Sequence, residues 1–297
     1  MNNDPQRGYT IDAGRRLKRR LAAGIGAGVL ILVIAIVAIQ ASSGSNASAG
    51  QFGSTLKIGF NSAFASEEKL IDYVASDVAP HYGLKIEPVS LGDPQQIDRS
   101  VSDGALAGTI YEHKYWMQSE IESGGFRVSA VLPIYKWAFA VYSDKYTNVN
   151  QLPDGAKIGV PADPSNQSQA LWLLAHEGLI TLKQGTQPWT AALSDVEGNP
   201  HHFNLTPLEL AVMPRALSSL AAGMSYVDFF HSAGVPSSKA ILSPPGPEAF
   251  NAQLVVGSNH LKDTNIKKLI ALWKDPRIQQ YLTEHGSPAL FPVTAKS

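Results

Sequence analysis

Cysteine is absent from all 297 residues, which excludes disulfides, thiolate metal sites, a cysteine nucleophile and attachment of a lipid to an N-terminal cysteine. No Gly-x-x-x-x-Gly-Lys-Ser/Thr stretch is present, so nothing in the chain is built to cradle nucleotide phosphates. A Gly-x-Ser-x-Gly elbow is missing too, and no long-period repeat is evident. Positive charge is scarce beyond the first 20 residues. Arg7, Arg15, Arg16, Lys18, Arg19 and Arg20 against Asp4 and Asp12 give that tail a net +4, and the remainder therefore carries −5 of the total −1. A mildly acidic body without a basic stripe argues against nucleic acid as a partner.

Charge is missing altogether from Leu21 to Gln40, where residues 29–39 are continuously apolar. About 20 such residues at 1.5 Å each span a bilayer core, and the preceding basic cluster places the N-terminus in the cytoplasm. The sequence thus predicts a cytoplasmic tail (1–20), a transmembrane segment (21–40) and an extracytoplasmic body. Ala47-Ser48-Ala49 offers a cleavage site, but the apolar run is longer than the usual cleaved segment, which favours a retained single-pass anchor. Arg15-Arg16 followed by Leu-Lys-Arg-Arg reads as a basic flank rather than a twin-arginine export signal. Residues 41–54, rich in Ser, Gly and Ala, have the composition of a flexible linker.

The body is 44% hydrophobic across the whole chain, enough for two lobes with cores of their own. Strand 55–60, a helix opened by Ser66 as N-cap, and strand 84–89 predict a β-α-β unit with a right-handed crossover. A helix at 94–102 leads to an apolar strand at 105–110. That strand runs into Tyr111-Glu112-His113-Lys114-Tyr115-Trp116, a flat apolar wall with one titratable group, or else the packed first turn of an interior helix. Strands at 128–132 and 137–142 follow, the second carrying the chain into another lobe. Residues 179–200 read as loop, and His201-His202 as solvated loop rather than a metal site, since no acidic partner stands at ligand spacing. Later strands fall at 203–208, 222–227 and 252–256, the last returning to the first lobe, with closing helices at 265–274 and 276–284.

One stretch organises the rest. Residues 157–171 read as a buried strand, a tight turn, and a helix with Asp163 as N-cap and Pro164 at its first position. Free N–H groups at such a helix end can hold a small polar or anionic ligand, although a capped helix after a strand is also an ordinary structural feature. Alternating strands and helices with two crossings predict an α/β, two-lobed periplasmic-binding-protein-like (type II) fold with a hinge. The expected lobes are 55–142 with 240–297, and 143–239.

Several segments resemble the NlpA-type, methionine-binding lipoprotein family of ABC-transporter substrate-binding proteins: residues 152–161, Asp163-Pro164-Ser165-Asn166, and 170–183, whose helix closes on Gly178-Leu179-Ile180. Asn199-Pro200, Glu209-Leu210, Pro214-Arg215-Ala216-Leu217 and Ala233-Gly234 fall in the family's order. The resemblance covers most of 56–284 and implies a ligand cleft formed by Tyr111, His113, Trp116, Asn166, Gln169, Tyr226, Asp228 and Gln253. It also brings departures. The arginine that pairs an amino-acid carboxylate in the family is Gln169 here, and family asparagines fall on Tyr226, Asp228 and Gln253. Exchanging Arg for Gln removes a charged bidentate contact typically worth about 1.5–3 kcal/mol. A neutral, cationic or amine-bearing ligand with an apolar tail is therefore expected in place of a free amino acid.

The family likeness implies a solute-binding component of an ABC importer, partnered by a small-molecule ligand, by permease and ATPase subunits, and by the membrane through the N-terminal helix. No cofactor, metal or catalytic residue is expected. A membrane-tethered sensor or interaction module that keeps the fold but not transport is the alternative. An enzyme using His113 as acid or base is the third reading, and no further catalytic motif accompanies that histidine.

Overall fold

The computed structural model describes residues 51–294 apart from Ser287. The basic tail, the expected membrane segment and linker residues 41–50 lie outside the described residues. No helix among the described residues is long and apolar enough to cross a membrane.

Strand β1 (Thr55–Asn61) begins where the uncharged linker gives way to Leu56, Ile58 and Phe60, all buried. Helix α1 (Ala65–Tyr73) follows, but Ser66 is not its cap. Phe64 takes that place without a side-chain bond, because the Ser66 hydroxyl is engaged by Asp228 far along the chain. Strand β2 (Lys85–Leu91) pairs parallel with β1, as expected for β-α-β. Helix α2 (Pro94–Ser102) starts at Pro94 with Asp93 accepting from the Gln95 amide. Strand β3 spans Gly108–His113, three residues later than the pattern predicts. The intervening backbone closes the α2 turn instead, with Leu106 N donating to Ser100 O at 3.0 Å. Helix α3 (Lys114–Gly124) starts at once, capped by His113, and leads to β4 (Val128–Trp137).

One residue later the chain is in another sheet. The elements there are β5 (Phe139–Tyr142), β6 (Lys157–Pro161), α4 (Pro164–His176), a small hairpin of β7 (Thr181–Leu182) and β8 (Val196–Gly198), β9 (Asn204–Leu208), α5 (Met213–Ala216), β10 (Ala222–Tyr226), α6 (Val227–Ser232) and β11 (Ala240–Leu242). The hairpin corrects the reading of 179–200 as loop: Thr181 pairs with Gly198. Finally β12 (Ala252–Gly257), α7 (Thr264–Leu272), α8 (Pro276–Tyr281) and β13 (Leu290–Phe291) return to the first sheet or pack beside it.

The first sheet has the order β13-β4-β12-β3-β1-β2 and the second β11-β5-β10-β6-β9. Both are mixed: β1 runs parallel to β2 and β3, and β6 to β9 and β10, whereas β12 and β5 run antiparallel to their neighbours. The sheet boundaries differ from those expected, after Tyr142 and before Ala240. Strands β5 and β11 bond to each other, which places both in the second sheet and moves the crossings to Ala138 and to 243–251. Ala138 is fully buried; its N–H donates to Ala289 O at 2.8 Å and its C=O accepts from Val227 N at 3.2 Å.

The largest cluster of buried apolar side chains runs through both sheets, joining Leu56, Ile58, Ile110 and Trp137 to Phe139, Val141, Ile158, Leu171 and Met224. Each such burial contributes roughly 1.5–3 kcal/mol before chain entropy is counted. The carboxyl ends of β1, β3, β4, β6 and β10 converge beside this core, the region where open α/β sheets hold ligands.

Candidate ligand cleft

The turn after β6 forms as its sequence predicts, with a different electrostatic outcome. Asp163 caps α4, and its Oδ1 accepts from Asn166 N (2.9 Å), Ser165 Oγ (2.9 Å) and Asn166 Nδ2 (3.0 Å). A carboxylate of the chain itself therefore occupies the positive helix end that could have held an anion. The cap also fixes Asn166, whose Oδ1 accepts from Tyr226 Oη at 2.7 Å. Tyr226 ends β10, directly across the crevice from the end of β3.

There His113 meets it. The His113 Nδ1 accepts from Trp116 N at 3.1 Å, which leaves the proton on Nε2, pointing to Asn166 Oδ1 at 3.4 Å. This is a direct contact between the two sheets. Burial lowers the imidazole to about 4, partly offset by Asn166 and Asp163, so the ring is neutral at physiological pH.

Two residues earlier on β3, Tyr111 Oη donates to Asp98 Oδ2 at 2.8 Å and accepts from Trp116 Nε1 at 3.2 Å. Asp98 and Glu112 face one another beneath this wall. Apart from their own pairing, no donor among the described residues reaches Asp98 Oδ1 or either Glu112 oxygen. The pair therefore retains a proton of its own. Burial raises both acids, Asp98 to about 7 and Glu112 well above the carboxylate range, with their mutual repulsion and Glu120 adding to the shift on Glu112. A third buried acid, Glu67 of α1, accepts from Tyr135 Oη (2.9 Å), Trp137 Nε1 (3.2 Å) and Asn61 N (3.2 Å). Burial raises it too, against the pull of those three donors.

These residues enclose a cavity of about 90 Å³. Tyr111, His113, Trp116, Asn166 and Tyr226, all expected in the cleft, line it together with Asn61, Phe64, Pro94, Glu112, Trp137, Leu210 and Phe229. The other three expected residues sit elsewhere. Gln169 is buried behind Tyr226, accepting from its hydroxyl at 3.0 Å, and lines a small separate cavity with Trp172 and the prolines at 244, 245 and 247. Gln253 lies on β12 opposite Glu112 and donates to Asn251 O at 2.8 Å. Asp228 bridges the sheets at another point, accepting from Ser66 N (3.1 Å) and Ser66 Oγ (2.5 Å). It faces a second cavity, not the first.

Sequence reasoning missed Phe64, Trp137, Phe229 and Glu112 as wall residues. A pattern of aromatics at strand and helix ends, Asn61 to Phe64, Trp137 and Asp228-Phe229, was the available signal. Among the described residues no group of three or more His, Asp or Glu is arranged to hold a metal ion. His201 does have an acidic partner, unseen in the spacing because it lies 47 residues away: its Nδ1 is 2.9 Å from Asp154 Oδ1 in an exposed pair.

Residues 56–294 match the NlpA lipoprotein family profile. The probable D-methionine-binding lipoprotein MetQ of Pasteurella multocida (strain Pm70) is 24% identical over 267 residues, covering 90% of this chain and 96% of the relative. The D-methionine-binding lipoprotein MetQ of Escherichia coli (strain K12) is 27% identical over 217 residues, covering 72% of this chain and 80% of the relative. Among solved structures, a nutrient binding protein from Burkholderia cenocepacia bound to methionine superposes with a TM-score of 0.69 at 24% identity, covering 80% of this chain and 98% of the other. A periplasmic substrate-binding protein of an ABC transporter from Coxiella burnetii gives 0.71 at 24% identity, with 80% and 99% covered. At that identity the superpositions speak for a shared α/β substrate-binding-protein fold.

Proposed function

Because the chain belongs to the NlpA lipoprotein family, we propose that it is the extracytoplasmic solute-binding component of an ABC importer, a binding protein and not an enzyme. Two lobes, one around each sheet, close on a small amino-acid-like or amine ligand and present it to a membrane permease driven by a cytoplasmic ATPase. The observation that carries this reading is the contact of His113 with Asn166 over a cavity at the strand ends, which joins the two sheets where a ligand would sit.

Tyr111, His113, Trp116, Asn166 and Tyr226 are the ligand-facing residues, Gln169 a support for Tyr226, and Asp228 an inter-lobe contact. The segment 21–40 serves as a retained single-pass anchor, taking the place of the lipid that a cysteine-free chain cannot carry. The alternative of a tethered sensor draws on one specific observation: Gln169 and Tyr226 bond to each other where the family resemblance implies an arginine and an asparagine.

A thermal-shift screen of the full-length chain in detergent, against amino acids, amines and small peptides, tests the reading. One class is expected to stabilise the protein saturably, by about 2.7 kcal/mol at a hundredfold excess over its Kd. If none does, the solute-binding reading is wrong.

A further inference from the structure

The cavity has an unusual wall. Six Phe, Tyr and Trp side chains, Phe64, Tyr111, Trp116, Trp137, Tyr226 and Phe229, line it together with the neutral His113, and no Lys or Arg is among the lining residues. The rings form a connected shell. Phe64 lies 6.1 Å from Trp137, 5.7 Å from Tyr226 and 5.2 Å from Phe229, and Trp137 lies 5.4 Å from Tyr226. Acids stand against this shell: Glu67 against the Trp137 indole N–H, Asp98 against the Tyr111 hydroxyl, Glu112 in the lining itself, and Asp163 behind Asn166.

Ring faces carry negative potential, so rings arranged around a small space attract a cation whose surface is itself apolar. An anion has nothing to bind: the helix end is taken by Asp163, and the position expected to carry an arginine carries Gln169. A zwitterionic amino acid would leave its carboxylate beside aromatic faces and buried acids. A bare ammonium needs several acceptors, and the two amide oxygens among the lining residues are engaged: Asn61 accepts from Ala63 N, and Asn166 accepts from Tyr226 and faces His113. Alkyl groups on the nitrogen remove that demand.

We propose that the cavity selects a small alkylated ammonium cation, whose headgroup is held by the faces of the surrounding rings. This rests on the solute-binding reading given above and names its ligand class. The cavity of about 90 Å³ is smaller than the roughly 150 Å³ that admits benzene, a molecule about as large as a trimethylammonium headgroup, to an engineered core. Entry of the headgroup therefore requires the sheets to part. Glu67, Asp98 and Glu112, whose proton affinity burial raises, supply a second signature. A cation entering the cavity favours their charged forms, so binding releases protons to the solvent.

Calorimetric titration of the full-length chain in detergent tests this, with choline and tetramethylammonium as cations, 3,3-dimethyl-1-butanol as the uncharged isostere of choline, and L-methionine. Choline is expected to bind at least tenfold more tightly than the isostere. Titrations in two buffers of different ionisation heat should show protons released with choline and none with the isostere. Phe229→Leu keeps an apolar wall and removes one ring; it should weaken choline about ten- to thirtyfold and leave the isostere unchanged, with an unaltered melting profile showing that it folds. Equal binding of the isostere, or tighter binding of L-methionine, would overturn the cation inference while leaving the solute-binding reading intact. Absence of saturable binding by these probes overturns the inference as well. Only the broader panel of amino acids, amines and peptides then decides the solute-binding reading.

Discussion

The cavity at the strand ends, about 90 Å³ and walled by rings, lies close to a second cavity of about 280 Å³ lined by Ser66, Lys69, Asp228, His231 and Tyr281 among others. Both contain a buried carboxyl, and the two are treated differently. Burial raises the proton affinity of Asp228, but two hydrogen bonds from Ser66 and the nearby His231 and Lys69 pull against that shift, so its charge is partly answered from within the chain. Glu112 and Asp98 have no cation beside them and are left to share a proton. Under the proposed function, volume does not mark the ligand site. The unanswered charge does, because a folded chain tolerates a buried acid without a partner only at a cost that a ligand can offset.

The comparison can be broken most forcefully at Glu67. Glu67→Ala leaves the Trp137 indole N–H and the Asn61 amide short of an acceptor, while the Tyr135 hydroxyl keeps the Ile110 carbonyl at 2.6 Å, and should cost about 3 kcal/mol in urea unfolding. A loss under 1 kcal/mol would show that the aromatic wall does not depend on this acid.

Next comes Asp98, whose native pKa near 7 lies above its unfolded value. The folded state then holds a proton that the unfolded state gives up, so this group's contribution is complete at acid pH and declines as pH rises from about 4 to 7. Asp98→Asn should remove the decline and gain roughly 2 kcal/mol at pH 8 relative to the parent. Parallel stability curves for parent and variant from pH 5 to 8 would contradict the shared-proton account.

The expected arginine offers a third break. Gln169→Arg alone should not create an amino-acid site, because Tyr226 stands between position 169 and the cavity. Combined with Tyr226→Asn it should raise L-methionine affinity about tenfold, the equivalent of one charged hydrogen bond. A gain from the single change would place Gln169 on the cavity wall after all.

At the polar cavity, Asp228→Asn weakens the bond to Ser66 without emptying the space and should cost about 1 kcal/mol. Small-angle scattering should show a more open unliganded protein. The smallest effect is expected at His113. With its pKa near 4, the ring stays neutral, so His113→Asn should leave the slope of ligand affinity between pH 5 and 6 unchanged. A slope that differs between parent and variant would show that the imidazole titrates in the cleft.

Local chemistry made much of this legible. The β6–α4 turn follows from Val160-Pro161 followed by Asp163-Pro164, each residue suited to its place, and the wall residues Tyr111, His113 and Trp116 announce themselves as aromatics at a strand end. What escaped depends on contacts between distant segments. Ser66-Glu67-Glu68-Lys69 reads as the solvated first turn of a helix, yet Glu67 is fully buried, because Tyr135 and Trp137 come from 70 residues away to bond it. Asp228 was expected in the cleft because a family asparagine falls there, but the turn into α6 swings it toward Ser66. The membrane segment was read from hydropathy alone, and it lies outside the described residues.

The crossing at Ala138 has a consequence for observing the molecule at work. Trp137 ends the first sheet and Phe139 begins the second, and both rings rest on Tyr226, at 5.4 and 5.2 Å. A change in the angle between the sheets must slide these rings over one another and alter the surroundings of an indole at the pivot. The proposed closure of the lobes should thus be readable from intrinsic fluorescence at this crossing, without any added label.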